Sequence, residues 1–299
     1  MKKRLLLTAF ALTAMSLSLA QAQDQQVSRE NRLGRAVPAK ALLNRDVVTQ
    51  GGKELGKIEE AIFDMESGRI LYLAMDLKGG ANDTVAVPPA LFTYGLGRAA
   101  AQGQSKEGTR QPFVIRTTEE ALKGAPKYAK TDEDHAQGAY VDKVYTHFNQ
   151  PRWWQGAGDS TSGKFNHIRR ASQVQNFTVQ NVSNEKLGKV DTVLFDLPLG
   201  RVSFVIVDPA NRISEKQVLL PIPPMAFTRG QQGGVLVTDL DKEKLNNAPS
   251  INRDALNADD IHQLSNPEFA TKVYEYYGKQ PWFQNIPTPT GPDRQQTNQ

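Results

Sequence analysis

Short apolar runs separated by glycine-containing turns recur along most of this chain. The runs 58–63 and 70–75 flank the turn 65–68, and this pattern predicts a β-hairpin. Other short apolar runs predict further strands at 47–48, 84–87, 113–115, 178–179, 190–195, 202–207, 218–220 and 235–237. About five or six short strands in each half, with Gly and Pro between them, are typical of a small antiparallel barrel or sandwich.

Polar caps and apolar stripes predict helices towards the end of each half. Thr118 precedes an acidic first turn and Gly124 follows it, which predicts a short helix over 119–123. Another helix is expected to begin at Pro267 and to end at Gly278. The predicted fold is mainly β (α+β), with two small antiparallel β-barrels that are each followed by short C-terminal helices. Because a barrel of about 60 residues is marginal alone, the helices are expected to thicken its core.

The two halves carry the same ordered motif at a constant spacing of 132 residues. Leu-Gly-Lys, Phe-Asp and Gly-Arg stand at 55–57, 63–64 and 68–69, and again at 187–189, 195–196 and 200–201. Such a duplication indicates two copies of one folding unit. Three pairs in it are predicted to be structural: Gly56 and Gly188 at a bulge or bend, Asp64 and Asp196 as acceptors of turn N–H groups, and Gly68 and Gly200 within the turns.

The repeat and the composition around it predict six segments. These are a signal peptide at 1–22, a polar leader at 23–37, a first unit at 38–154, a flexible linker at 155–167, a second unit at 168–283 and a disordered tail at 284–299. The linker prediction depends on a run rich in Gly and Ser at 156–163. The two units are therefore expected to be separate barrels joined by a flexible connection.

The ordered set of motifs resembles the PRC-barrel family. The resemblance rests on Val47-Val48, Gly51-Gly52, Leu55-Gly56, Phe63-Asp64, Gly68-Arg69-Ile70, Asp76 and Val87-Pro88, and on their counterparts in the second half. It covers most of residues 42–94 and 174–229. It implies small six-stranded barrels that act as docking modules, with no catalytic residues to carry over. The helical extensions lie outside the family pattern, so the resemblance names no specific partner.

The amino terminus has the features of a secretory signal peptide. A basic start precedes an apolar stretch at 5–19 and a small-residue cleavage site at 20–22. The protein is therefore predicted to be exported to the periplasm or the extracellular space. No later segment approaches the roughly 18 apolar residues needed to span a bilayer, so no transmembrane segment is expected in the mature chain. Peripheral contact with a membrane stays open.

Charge and cysteine content narrow the classes of partner. Lys and Arg total 36 against 32 Asp and Glu, but the signal peptide holds three of the basic residues. The mature chain is therefore close to neutral, which gives no reason to expect nucleic acid as a partner. The chain has no cysteine, so its stability must come from packed cores and not from disulfides.

Two short motifs resemble a phosphate-binding loop and a calcium loop, but each lacks residues that such a site requires. Residues 158–164 fit the start of a phosphate-binding loop, yet Phe165 stands where the magnesium-binding hydroxyl belongs. The acidic turn 132–135 lacks the glycine and the terminal Glu of a calcium loop. We expect no catalytic residue, no cofactor and no metal. Two alternatives are an exported hydrolase or metal-dependent enzyme with an inter-domain site, and a small-ligand or lipid-binding barrel, which requires a hollow interior.

Aromatic residues and arginines near the ends of the units form the predicted partner-binding set. Its members are Trp153, Trp154, Arg169, Arg170 and Trp282. Tryptophan and arginine are enriched in interface hot spots. The alternative is that the tryptophans fix each terminal helix to its barrel. The predicted function is a non-catalytic exported protein-binding or scaffold module, whose partner is another envelope protein.

Overall fold

The computed structural model describes residues 33–79, 83–94, 111–128, 138–155, 163–210, 218–228, 234–257 and 261–283. The predicted signal peptide, most of the polar leader, the acidic turn, most of the phosphate-loop-like run and the tail lie outside these described residues. Contacts divide the chain into a body of residues Gly34–Gln280 and a body made by the two ends. Of the latter, only Leu33 and residues 281–283 are described.

The first repeat is a meander of strands followed by helices. Its strands are β1 (Val37–Pro38), β2 (Asp46–Val48), β3 (Glu54–Asp64), β4 (Arg69–Leu77), β5 (Thr84–Val87), β6 (Phe92–Tyr94) and β7 (Phe113–Ile115). Its helices are α1 (Ala39–Leu42), the 3-10 helix η1 (Pro89–Leu91), α2 (Glu119–Lys123) and α3 (Gly138–His147). Thr118 caps α2 by accepting the Ala121 N–H at 3.1 Å, as its cap signal predicts.

The second repeat has the same order of elements, with β15 and the 3-10 helix η3 added before its last helix. Its strands are β8 (Ile168–Arg170), β9 (Thr178–Asn181), β10 (Lys186–Asp196), β11 (Arg201–Pro209), β12 (Val218–Ile222), β13 (Phe227–Thr228), β14 (Val235–Thr238) and β15 (Ile251–Asn252). Its helices are α4 (Ala171–Val174), η2 (Pro224–Ala226), α5 (Lys242–Asn246), η3 (Arg253–Asn257) and α6 (Pro267–Tyr276). Asn266 caps α6 by accepting the N–H groups of Glu268 and Phe269.

The strands of both repeats form a single sheet within the described residues. Its main path runs β13-β14-β9-β10-β11-β4-β3-β2-β7-β6. In each repeat the sheet curls into a half-barrel, and the fold is mostly β with few helices. The mainly β prediction is therefore confirmed.

The prediction of purely antiparallel barrels is wrong, because strand pairing is mixed. β2 pairs parallel with β7, and β9 pairs parallel with β14. The cause is the 3-10 turn that opens at the Pro-Pro pair in each repeat, η1 in the first and η2 in the second. This turn carries the chain from β5 to β6, and from β12 to β13, without reversing its direction. The last strand of the meander therefore returns beside the first strand with the same polarity.

The long hairpins of the two repeats share their irregularities. The ladder of β3 with β4 shifts register between Ile58 and Glu60, and that of β10 with β11 shifts between Val190 and Thr192. These positions differ by the repeat spacing of 132 residues. Bulges increase local twist, so they help each sheet to curl. The duplication therefore extends from sequence motifs to backbone detail.

Gly56 and Gly188 stand where two backbones approach closely. A Cβ at Gly56 would collide with the carbonyl oxygen of Asp76, and a Cβ at Gly188 with that of Asp208. Both glycines lie beside a register shift between the long strand and the strand that precedes it. Only glycine leaves space for the neighbouring strand at these two points.

Candidate functional site

The two repeats meet along β4 and β11, which run antiparallel with Arg69 opposite Arg201. The Ile70 N–H donates to the Gly200 carbonyl at 2.9 Å, and the Val202 N–H donates to the Gly68 carbonyl at 3.0 Å. Gly200 and Val202 are the counterparts of Gly68 and Ile70, so exchanging the two repeats converts each of these bonds into the other. The repeats are therefore related by a local pseudo-twofold axis, and their sheets join there into one.

Beside this axis, the core of one repeat is in direct contact with the core of the other. The rings of Phe63 and Phe195 meet edge to face, with centroids 5.4 Å apart and an interplanar angle of 71°. Both side chains are fully buried. Equivalent aromatic residues of the duplicated motif therefore pack on each other. Edge-to-face contact between aromatic rings stabilises the pair beyond what its buried area contributes.

Each repeat also lends the start of its chain to the other repeat. The second arm, residues 167–174, contains β8 and α4, and β8 pairs with β3 of the first repeat through Ile62–Asp64. The first arm, residues 34–42, contains β1 and α1, and β1 pairs with β10 of the second repeat through Leu194 and Phe195. The two arms thus cross between the repeats.

Two buried carboxylates of the first repeat hold the second arm. Asp64 accepts the N–H of Ser67 at 2.8 Å within its own turn, and its other oxygen accepts the N–H of His167 at 3.0 Å. Glu60 accepts the N–H of Ser172 at 3.0 Å and also the Ser172 hydroxyl. The Met65 N–H donates to the His167 carbonyl at 2.9 Å. Charge-assisted bonds of this kind are stronger than neutral ones.

The first arm is held in a different way. The Ala36 N–H donates to the Ser265 hydroxyl at 3.0 Å, and the Ala36 carbonyl accepts the Ile261 N–H at 3.1 Å. The buried Asp196 lies against Gly34, where a Cβ would collide with its carboxylate. Thr192 occupies the position equivalent to Glu60, and its hydroxyl donates to the Val193 carbonyl at 3.4 Å.

Gly68 and Gly200 occupy the turns beside the pseudo-twofold axis with φ of +62° and +60°. A Cβ on Gly68 would lie 3.3 Å from Pro224 Cγ, and one on Gly200 would lie 3.1 Å from Pro89 Cγ. Each turn therefore contacts the Pro-Pro corner of the opposite repeat. Positive φ and this close approach both favour glycine at the two positions.

Trp153 and Trp154 belong to a half-buried aromatic cluster. Their rings are 5.2 Å apart, and both contact the ring of Phe165, at 5.8 Å and 5.4 Å. Trp154 also meets Tyr145 at 4.9 Å, and its indole N–H donates to Asp142 at 3.1 Å, so it fixes helix α3 to the segment that follows. Phe165, from the predicted linker, thus contacts both tryptophans at the end of the first repeat.

Arg69 links this aromatic cluster to the pseudo-twofold axis. Its guanidinium lies 5.0 Å from the ring centroid of Trp153, a cation–π geometry. Arg69 was visible in the sequence as part of the repeated Gly-Arg motif, but its role at a junction was not.

The two arginines of the predicted set lie on β8 of the second arm. Arg169 donates to the Ile168 carbonyl at 2.8 Å, while the guanidinium of Arg170 lies 5.9 Å from the ring of Tyr128. Burial raises the pKa of Tyr128, and the nearby Arg170 opposes that rise. Neighbouring side chains of a strand point to opposite faces. The side chains of the two arginines therefore lie on opposite faces of β8.

Trp282 lies in the body made by the chain ends, where its ring meets that of Phe283 at 5.3 Å. Within the described residues, no helix is long and apolar enough to cross a membrane. The described part of the chain also holds no group of three or more His, Cys, Asp or Glu residues placed to bind a metal ion.

The residues that sequence analysis missed are those of the arm contacts, chiefly Glu60, His167, Ser172 and Gly34. One signal was present. Glu60 is an acidic residue inside an apolar strand, and it breaks the repeat, because Thr192 is its counterpart. An acid in such a run indicates a buried partner, although the identity of that partner is not encoded locally.

One β-sheet that curls into a half-barrel in each of two duplicated repeats, related by a pseudo-twofold axis, defines a tandem barrel-like protein. The family model of the PRC-barrel domain matches residues 36–98 and again residues 166–244. The chain belongs to the PRC-barrel family and carries two tandem PRC-barrel-like domains. A search of curated proteins found no match to this chain.

Proposed function

We propose that this protein is a non-catalytic exported scaffold that presents two related PRC-barrel-like surfaces to another envelope protein. The observation that carries this proposal is the junction. β4 and β11 pair directly and the two arms cross, so the two repeats are held in one sheet. Duplication with a shared sheet supports recognition, because it sets two similar surfaces at a fixed spacing.

A fixed spacing changes how such a scaffold binds. When two surfaces are joined by a flexible tether, the effective concentration for the second binding event is an average over many geometries. Surfaces that are already held in place lose less conformational entropy on binding, so more of the contact free energy appears as affinity. The protein is therefore expected to favour a partner with two sites of matching separation, or two copies of one partner.

The proposed contact surface includes the aromatic cluster at the end of the first repeat and the second arm, whose two arginines lie on opposite faces of β8. Trp153, Trp154, Arg169 and Arg170 all retain partial exposure. Half-exposed tryptophan and arginine are the residue types that contribute most to binding hot spots. This surface is adjacent to the junction, where both repeats are within reach of one partner.

Export to the periplasm or the extracellular space is part of the proposal and has its own test. Mass spectrometry of the protein purified from intact cells is expected to find an amino terminus at Gln23, after cleavage behind Ala22. A protein that retains Met1 and fractionates with the cytoplasm would remove the envelope from the proposal.

The binding proposal is tested by crosslinking in intact envelopes, followed by affinity capture. Wild type is compared with the triple variant Trp154→Ala/Arg169→Ala/Arg170→Ala, and specific partners are expected to be lost from the variant. Because Trp154 also anchors α3, thermal unfolding must show that the variant is folded before the capture is interpreted.

The control variant replaces basic residues by alanine at a position away from this surface. Lys186→Ala/Lys189→Ala alters two exposed basic residues of β10 and is expected to retain every partner. If the folded triple variant captures the same proteins as wild type, the proposed surface is wrong.

A further inference from the structure

Each repeat completes the sheet of the other, and this reciprocity has a consequence for assembly. We infer that each repeat is a specific binding partner for the other, and that the junction forms without the covalent connection between them. The interaction surface consists of the β4–β11 pair and the two docked arms. Its occupant is the complementary repeat of the same protein.

Backbone pairing is the first support for this inference. The junction contains three separate strand pairings between the repeats: β4 with β11, β3 with β8, and β10 with β1. If the repeats separated, the N–H and carbonyl groups of these edges would lose their partners. Exposed strand edges of this kind pair readily with another strand. Main-chain pairing therefore provides a drive for reassociation on both sides of the axis.

Buried charge is the second support. Glu60 and Asp64 are each only 3% exposed, and each accepts backbone N–H groups from the second arm. Without that arm, both carboxylates would lose a charge-assisted partner. Hydrogen bonds to charged groups contribute more to stability than bonds between neutral groups. The docking surface on β3 is therefore complete only when the second arm occupies it.

Apolar burial is the third support. Within the first arm, Ala36 and Val37 are buried, and within the second arm Ala171 and Val174 are buried. These side chains belong to segments whose strands pair with the opposite repeat. Separation would expose the apolar surface of both arms to water, which is unfavourable. The contacts resemble those of an obligate interface, which looks like a core divided between two partners.

The inference is tested on the full chain with a protease site inserted between Gly158 and Asp159. After complete cleavage, the two fragments are expected to elute together on gel filtration and to unfold in one transition. They are also expected to reassociate after denaturation and refolding from an equimolar mixture. Fragments that separate, precipitate apart or unfold in two independent transitions would overturn the inference.

Variants of the cleaved protein test whether the arm contacts contribute. Glu60→Ala removes the acceptor of the Ser172 N–H and hydroxyl, and it is expected to weaken fragment association on the order of tenfold. Glu54→Ala is the control on the same strand, because the exposed Glu54 pairs with Lys78 within its own repeat.

The double variant Glu60→Ala/Ser172→Ala separates this contact from a general loss of fold. If the two side chains act as a pair, the double variant is expected to be weaker by less than the sum of the single effects. If Glu54→Ala weakened association as much as Glu60→Ala, or if the single effects were fully additive, the arm contact would not be what holds the repeats together.

Discussion

The two crossing arms have the same backbone role but different side-chain anchors. The second arm is held by buried carboxylates, through Glu60 and Asp64. The first arm is held by one main-chain bond from Ile261 and by the Ser265 hydroxyl, and Thr192 replaces the carboxylate of Glu60. Main-chain pairing is therefore what the two arms have in common, while their side-chain anchors differ.

The largest effect is expected at the paired close approaches in the long hairpins. Gly56→Ala and Gly188→Ala would each place a Cβ against a backbone carbonyl of the neighbouring strand. We expect each change to lower the free energy of unfolding by about 3 kcal/mol, because a backbone oxygen cannot move aside without distorting the ladder. Chemical denaturation measures both values.

Gly51→Ala is the control for these two changes. A Cβ there would meet only the Thr49 hydroxyl, at 3.7 Å, so a change of less than about 0.5 kcal/mol is expected. If Gly188→Ala were as mild as Gly51→Ala, the backbone equivalence of the two repeats would not hold at this point.

A smaller effect is expected where the first arm meets the second repeat. Gly34→Ala would push a methyl group against the Asp196 carboxylate, which can move further than a backbone oxygen. We expect a loss of about 2 kcal/mol in stability. Asp196→Ala in the same chain should recover part of this loss, since it removes the colliding group. An additive double variant would show that the two residues are not in contact.

The terminal helices offer a comparison of two tyrosines. The Tyr274 hydroxyl donates to the Ser203 carbonyl at 3.0 Å, whereas the buried Tyr277 hydroxyl has no hydrogen-bond partner among the described residues. Tyr274→Phe is expected to destabilise by about 1 kcal/mol. Tyr277→Phe is expected to be neutral or stabilising, and Phe148 is its counterpart in the first repeat. Equal losses from both changes would contradict this assignment.

The smallest of the expected effects is the loss of stability that alkaline pH causes through Tyr277. Burial, with a further contribution from Tyr276, raises the pKa of Tyr277 above its ordinary value of 10.0. The folded protein therefore holds a proton that the unfolded chain releases near pH 10, so stability is full below that pH and falls as pH rises above it. Tyr277→Phe should lose less stability than wild type between about pH 9 and about pH 11. If the stability of wild type and of Tyr277→Phe fell equally with pH, Tyr277 would not contribute to the alkaline loss of stability.

Local signals in the sequence predicted local structure well. The caps at Thr118 and Asn266 predicted where α2 and α6 begin, and the turn at 65–68 predicted the β3–β4 hairpin. The repeated motif predicted the PRC-barrel family. In each case, the residues that carry the information are close together in the chain.

Long-range pairing was not predictable in the same way. The bond from His167 to Asp64 joins residues about a hundred positions apart, and main-chain ladders leave no specific side-chain pattern. The parallel closure of each repeat depends on whether one 3-10 turn reverses the chain. Glu60 was visible as an acid in an apolar run, but its partner lies in the other repeat.

The central claim is that the two repeats are held in one body by the shared sheet. Because the chain contains no cysteine, Lys57→Cys/Lys189→Cys places two spin labels at equivalent exposed positions, one in each repeat. Double electron–electron resonance is then expected to give a single narrow distance distribution. A broad distribution, of the kind that a flexible connection between independent barrels produces, would contradict the claim.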